Sequence, residues 1–103
     1  MNHSCYILLS PKLDRFYIGS TSIGAGLRLI DHINDKYGIS KFTHKAKDWV
    51  VFLEIECSSA SQARKIETHI KSMKSKIYIK NLKQYPDMIE KLVKRFDPEN
   101  LEY

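Results

Sequence analysis

The chain has little cysteine, and its two, Cys5 and Cys57, fall in or at the end of apolar runs without CxxC or Cys/His ligand spacing. Nothing in that pattern suggests a disulfide framework or a zinc site, so a reduced, cytoplasmic setting is expected. Long apolar stretches are missing as well. The longest, Trp49 to Leu53, falls far short of the ~20 residues a membrane helix needs. No N-terminal charged segment leads into an apolar core and cleavage site, so the protein is expected to be soluble, with no membrane partner. Four glycines and three prolines leave no linker, repeat or low-complexity tract. A chain of 103 residues is large enough for one modest core but not two. We expect a single domain over residues 1–96 and a frayed tail over 97–103.

What is present in excess is positive charge, and its distribution says more than its size. Residues 1–40 carry a net charge of +1, residues 41–83 carry +6 and residues 84–103 carry −2. A basic middle is the footprint of a polyanion-binding surface, because each neutralised phosphate releases condensed counterions. Ordinary solvated lysines explain the same numbers, so charge alone does not decide.

Cys5 to Leu9 and Arg15 to Ser20 read as strands, joined by the turn-rich Ser10-Pro11-Lys12-Leu13-Asp14 into a hairpin. Tyr6 and Tyr17 are expected to be cross-strand neighbours, which would put both phenols into one site. Ser20-Thr21-Ser22 offers caps for a helix from about Gly24 to Asn34, whose apolar arc is Leu27, Leu29, Ile30 and Ile33. Arg28 and His32 lie one turn apart roughly opposite that arc, which predicts that they are displayed rather than buried. Asp35 to Asp48 reads as a basic loop. Trp49 to Glu56 is the strongest strand pattern, expected in the middle of a three-stranded sheet. Ser59 with Gln62 forms a capping box opening a helix with the stripe Ala63, Ile66, Ile70 and Met73, and Glu67 borders that stripe. Ile77 to Leu82 is a short helix or an extended segment. Pro86, followed by Ile89, Leu92, Val93 and Phe96, marks a last amphipathic helix that stops before Pro98.

Cleaving a phosphodiester needs an activated water, a group to take its proton, and positive charge for the transition state. The chain has a candidate for each. Glu67 is a hard oxygen ligand for Mg²⁺ or Mn²⁺. Arg28 offers a donor fork matched to phosphate oxygens. Tyr6 can orient or deprotonate the water if its proton passes to His32, while Tyr17 can hydrogen-bond the phosphate. Each has a competitor: Glu67 can pair with Lys71 at i,i+4, and Arg28 and His32 can form a solvated face.

The order strand Tyr, strand Tyr, helix Arg and His, then second-helix Glu resembles the GIY-YIG nuclease superfamily. That superfamily includes the 3′-incising N-terminal nuclease domain of the bacterial excinuclease, junction and flap resolvases, homing endonucleases and some restriction enzymes. Its first triplet appears as Ser4-Cys5-Tyr6, keeping only the tyrosine, and its second as an intact Tyr17-Ile18-Gly19. Arg28 to His32 matches the family's arginine and following His or Tyr, and Ala63 to Glu67 matches the helix with the metal-binding glutamate. The chain looks most like small stand-alone bacterial members. Ser20 replaces a residue that is basic in some members, and Asn81 lies near the place of a family asparagine.

The resemblance implies an α/β (α+β) fold, a three-stranded antiparallel sheet flanked by helices. It also implies a divalent-metal-dependent DNA endonuclease of repair, recombination or restriction, with Tyr6, Tyr17, Arg28, His32 and Glu67 at its site. Lys41, Lys45, Arg64, Lys71 and Lys74 are the expected DNA contacts, and no small-molecule cofactor is expected. The alternatives are a binding module on the same fold that has lost useful catalysis, and a protein-interaction domain using the acidic C-terminal helix. Oligomeric state and DNA specificity stay open.

Overall fold

The computed structural model describes residues 3–34 and 46–97. Lys41 and Lys45, most of the expected basic loop, and the tail from residue 98 lie outside the described residues. The order of elements is β1 (Ser4–Ser10), β2 (Arg15–Thr21), α1 (Ala25–Ile33), β3 (Val50–Glu56), α2 (Ala60–Met73), α3 (Lys76–Gln84) and α4 (Pro86–Arg95). The sheet is antiparallel with strand order β2-β1-β3, as an α+β fold of the expected kind.

β1, not β3, is the middle strand. Cys5, Tyr6, Ile7 and Leu8 are all at most 1% exposed, whereas Val50 and Val51 on the edge strand are 47% and 37% exposed. An apolar run is the signature of a strand covered on both faces, and both segments have one. Only β1 is enclosed; the largest side chain of the other run, Trp49, turns inward just before β3 begins. Pairing along β3 jumps from Ile7 opposite Leu53 to Leu8 opposite Val51, so Phe52 is the extra residue of a β-bulge. Phe52 and Leu53 consequently both pack against the same apolar cluster.

That cluster lies on one face of the sheet, where Cys5, Ile7 and Ile55 meet Ile66 and Ile70 of α2, Ile79 and Leu82 of α3, and Leu92 of α4. α2 is capped by Ser59, whose hydroxyl accepts from Gln62 N–H at 3.1 Å. The reciprocal half of the capping box falls one residue earlier: Gln62 Oε1 accepts from Ser58 N–H at 2.7 Å. Gln62 Nε2 then donates to the Val93 carbonyl at 2.8 Å, which ties α2 to α4 and satisfies a buried amide. The expected stripe runs one turn too far, because Met73 is 43% exposed where α2 ends at left-handed Lys74. The segment left open between helix and strand is helical, capped by Ser75 accepting from Tyr78 N–H. Pro86 occupies the first turn of α4, where its missing N–H costs nothing.

α1 covers the other face, its Ala25 packed with Tyr6, Leu8, Ala46 and Trp49. It is turned differently from what its apolar arc predicts. Leu29 and Ile33 of the expected arc pack against this cluster, but Leu27 and Ile30 are 56% and 53% exposed, while Ala25 and His32 are buried. Arg28 and His32 are thus held toward the sheet, contrary to the expectation that they are displayed. The sheet face beneath them carries phenols and a carboxylate, which supply hydrogen-bond partners that an apolar arc could not use. Nor do Ser20, Thr21 and Ser22 cap this helix. Its N-cap is Gly24 at φ 92, and Ala25 N–H donates 2.9 Å to Glu54 Oε2, an oxygen that also accepts from Ser4 Oγ at 2.7 Å.

Candidate active site

Tyr6 and Tyr17 are not directly opposed. The register pairs Tyr6 with Gly19 and Tyr17 with Leu8, so the two phenols are diagonal neighbours on one face, with ring centroids 6.3 Å apart. Diagonal neighbours on a sheet remain within reach of aromatic side chains, which is why the shared face survives the offset. The position facing Tyr6 must be glycine for reasons of space: a Cβ on Gly19 would lie 2.6 Å from the Tyr6 hydroxyl. The tyrosine ring lies across the glycine of the second triplet.

His32, in the last turn of α1 and 1% exposed, closes the site from above. Its Nε2 is 2.9 Å from the Tyr6 hydroxyl. With the ring proton on Nδ1, the phenol donates to Nε2. The Tyr17 ring meets the His32 ring edge-on with centroids 4.6 Å apart. Burial pushes the Tyr6 phenol up to about 12, with Tyr17 and Glu67 adding to the rise and the Arg28 guanidinium opposing it. Burial lowers the His32 pKa, and the neighbouring Arg28 charge lowers it further against Asp31. Both shifts favour the uncharged forms, so the pair is a neutral phenol facing a neutral imidazole, with the proton resting on the phenol.

Arg28 sits beside this pair with incomplete pairing of its own. One terminal nitrogen is 3.7 Å from Asp31 Oδ2, a long contact, and Nε is sealed from solvent without a hydrogen-bond partner. An Nε–H shut off from water without an acceptor costs free energy that a phosphate oxygen would restore. Arg28 also lines a cleft of about 340 Å³ between the end of β2 and the start of α2, with Ser20, Thr21, Ser22 and Arg64 among its walls. Among the described residues no carboxylate lines this cleft.

Glu67 enters from α2, which packs along β2. It is close enough for its charge to act on the Tyr6 phenol. Its carboxylate is 19% exposed and accepts from Lys71 Nζ at 2.6 Å, the i,i+4 pair that competes with a metal role. Among the described residues no three of His, Cys, Asp or Glu converge to hold a metal. One partly exposed carboxylate nevertheless suits Mg²⁺ or Mn²⁺, which take few protein oxygens and keep several waters.

Tyr6, Tyr17, Arg28 and His32 are thus brought together, with Glu67 at the margin. Arg64, Lys71 and Lys74 are exposed along or at the end of α2. Asn81 is not gathered in; it lies half-buried on α3, the helix that covers the opposite, apolar face. The residue that sequence reasoning missed is Glu54, which faces Tyr6 in the register and fixes the start of the helix that carries Arg28 and His32. Its only sequence signal was a charged residue at an alternating position near the end of a strand.

The model of the GIY-YIG catalytic domain matches residues 2–84, from β1 to the end of α3. The chain belongs to this nuclease family. No curated protein and no solved structure gave a match. Within the GIY-YIG family frame, α4 is an addition beyond the matched region, joined to α2 through Gln62. Among the described residues no helix is long and apolar enough to cross a membrane.

Proposed function

We propose that the protein is a divalent-metal-dependent endonuclease that hydrolyses DNA phosphodiesters, acting as one domain over residues 1–96. The observation that carries this reading is the buried hydrogen bond between Tyr6 and His32 beneath an Arg28 whose Nε lacks a partner. A relay through Tyr6 needs an unprotonated acceptor within hydrogen-bond reach, and neutral His32 at 2.9 Å supplies one.

In the proposed mechanism Arg28 binds the scissile phosphate, and the charge that grows on its oxygens in the transition state strengthens that contact. Tyr17 donates to the same phosphate from the neighbouring strand. Tyr6 accepts a proton from the attacking water as its own passes to Nε2 of His32, so the phenol never carries full charge in its buried setting. Glu67 would hold the Mg²⁺ or Mn²⁺ that nucleases of this family generally use, after exchanging its bond with Lys71. Such an ion supplies Lewis-acid stabilisation of phosphate charge and a water of lowered pKa. Lys71, released, joins Arg64 and Lys74 in neutralising the DNA backbone.

A second reading, a DNA-binding module without useful catalysis, draws support from the Glu67–Lys71 ion pair. Glu67→Gln separates the two. The nuclease reading expects cleavage to fall by orders of magnitude while metal-free DNA binding holds or strengthens, because a negative charge beside phosphates is removed. Unchanged nicking of supercoiled and branched DNA in this variant would remove Glu67 from the mechanism. If the wild type cleaves no DNA topology with Mg²⁺ or Mn²⁺, the binding module is favoured.

A further inference from the structure

We propose that the outer face of α2 is a binding groove for an unpaired nucleotide of the DNA substrate, a reading that rests on the nuclease function above. Beside the catalytic cleft runs a second groove of about 510 Å³, walled by Arg64, Lys65, Thr68, His69 and Ser72 of α2 and by Phe96 after α4. These α2 positions recur at helical spacing and form one face. Among the described residues no carboxylate lines the groove. Its chemistry comes in the two halves that a nucleotide requires: cations and hydroxyls for a phosphate, and ring surface for a base. The rings of His69 and Phe96 are 5.6 Å apart and tilted by 55°, forming one end of the groove.

Two features commit the occupant to a single strand. A base inside a duplex has both faces covered by its neighbours, so only an unpaired base can stack on a protein ring. Arg64 lines both this groove and the catalytic cleft, so a strand leaving the cleft past Arg64 continues onto α2 without meeting a carboxylate among the residues that line either. The groove thus gives a nuclease core of this size a means to prefer a flap, a gap or a displaced strand over intact duplex.

The test compares binding of a single-stranded oligodeoxynucleotide and a blunt duplex of equal length, by fluorescence anisotropy with chelator present. Wild type, Lys65→Gln and His69→Ala are compared, with thermal denaturation of each. Lys65 is exposed, so its variant folds even if removing the His69 ring weakens the contact with Phe96. Single-strand affinity should fall about tenfold in His69→Ala, as for loss of one stacked base, and by less in Lys65→Gln. Duplex affinity should change by less than about twofold in His69→Ala, where the stacking ring is lost without any change in charge. An unchanged ratio of single-strand to duplex affinity in both variants overturns the proposal, whatever the nicking activity. Loss of single-strand affinity in variants of a wild type that cleaves nothing upholds the groove and removes the nuclease reading. Tighter binding of a labelled acidic peptide than of the oligonucleotide, lost in both variants, would assign the groove to protein instead and overturn the proposal.

Discussion

The two faces of the same three strands are built on opposite principles. Toward α2, α3 and α4 the sheet presents Cys5, Ile7 and Ile55 to buried aliphatic side chains, with the buried amide of Gln62 hydrogen-bonded to Ser58 and Val93 beside them. Toward α1 it presents Tyr6, Tyr17 and Glu54, under a helix that turns an arginine and a histidine inward and leaves two of its own aliphatic residues in water. The first face holds the fold by burial and needs no specific geometry beyond close packing. The second spends stability on polar groups that must be individually satisfied, and Arg28 Nε, without a partner among the described residues, is one that a substrate oxygen could fill.

Single substitutions should separate the faces. The largest effect expected is on cleavage by Tyr6→Phe, which keeps the ring over Gly19 and deletes the proton donor. Turnover should fall by about a hundred- to ten-thousandfold, measured on nicked plasmid, while the protein stays folded at a lowered thermal midpoint because His32 Nε2 loses its buried partner. Ile66→Ala should do the reverse, costing about 2–5 kcal/mol in denaturant titration while the folded fraction cleaves at the normal rate. Glu54→Ala tests the tie between β3 and the start of α1 and should cost about 0.5–2 kcal/mol, as loss of a helix cap does. If Glu54 only holds the fold, turnover will follow the folded fraction; if it aims Arg28 and His32, turnover will fall further, and Glu54→Gln will restore most of it.

The next effect is a slope. The His32 pKa is lowered in the folded protein, so the unfolded chain binds its proton more readily from the ordinary value of 6.5 downward. Stability should therefore be full above pH 6.5 and decline as pH falls below it, and His32→Gln should flatten that decline. The smallest effect belongs to Leu27→Gln, expected within about 0.5 kcal/mol of the wild type because the side chain already meets water. A loss of several kcal/mol there would mean that α1 sits with the apolar arc inward and the polar pair outward, and the contrast between the faces would collapse.

Strand content, the hairpin and the α2 and α4 stripes could be read directly from the chain, because local periodicity and capping chemistry determine them. What could not be read was relative placement. Trp49 to Leu53 looks more central than Cys5 to Leu9 because hydropathy records how apolar a strand is, not whether both its sides are covered. The orientation of α1 was hidden for a related reason: Leu27 and Ile30 form a better apolar arc than the residues that turn inward, and only partners from distant strands reverse the preference. The site residues were visible as a set of types in order. The offset of Tyr6 from Tyr17 was not, since it depends on the hairpin register, and neither was the reason for Gly19, which is the ring of a residue thirteen positions earlier.

The single extra residue at Phe52 works as a phase shifter in the alternation of β3. Upstream of it the strand keeps one parity of in and out; downstream it keeps the other, so Leu53 and Ile55 reach the apolar side while Glu54 reaches the start of α1. A one-residue deletion here would not shorten the strand so much as invert half of it, exporting two aliphatic side chains and importing a carboxylate. This position should therefore tolerate exchange of one aromatic for another yet refuse any change in length, a constraint that acts on the reading frame of the fold rather than on the identity of a side chain.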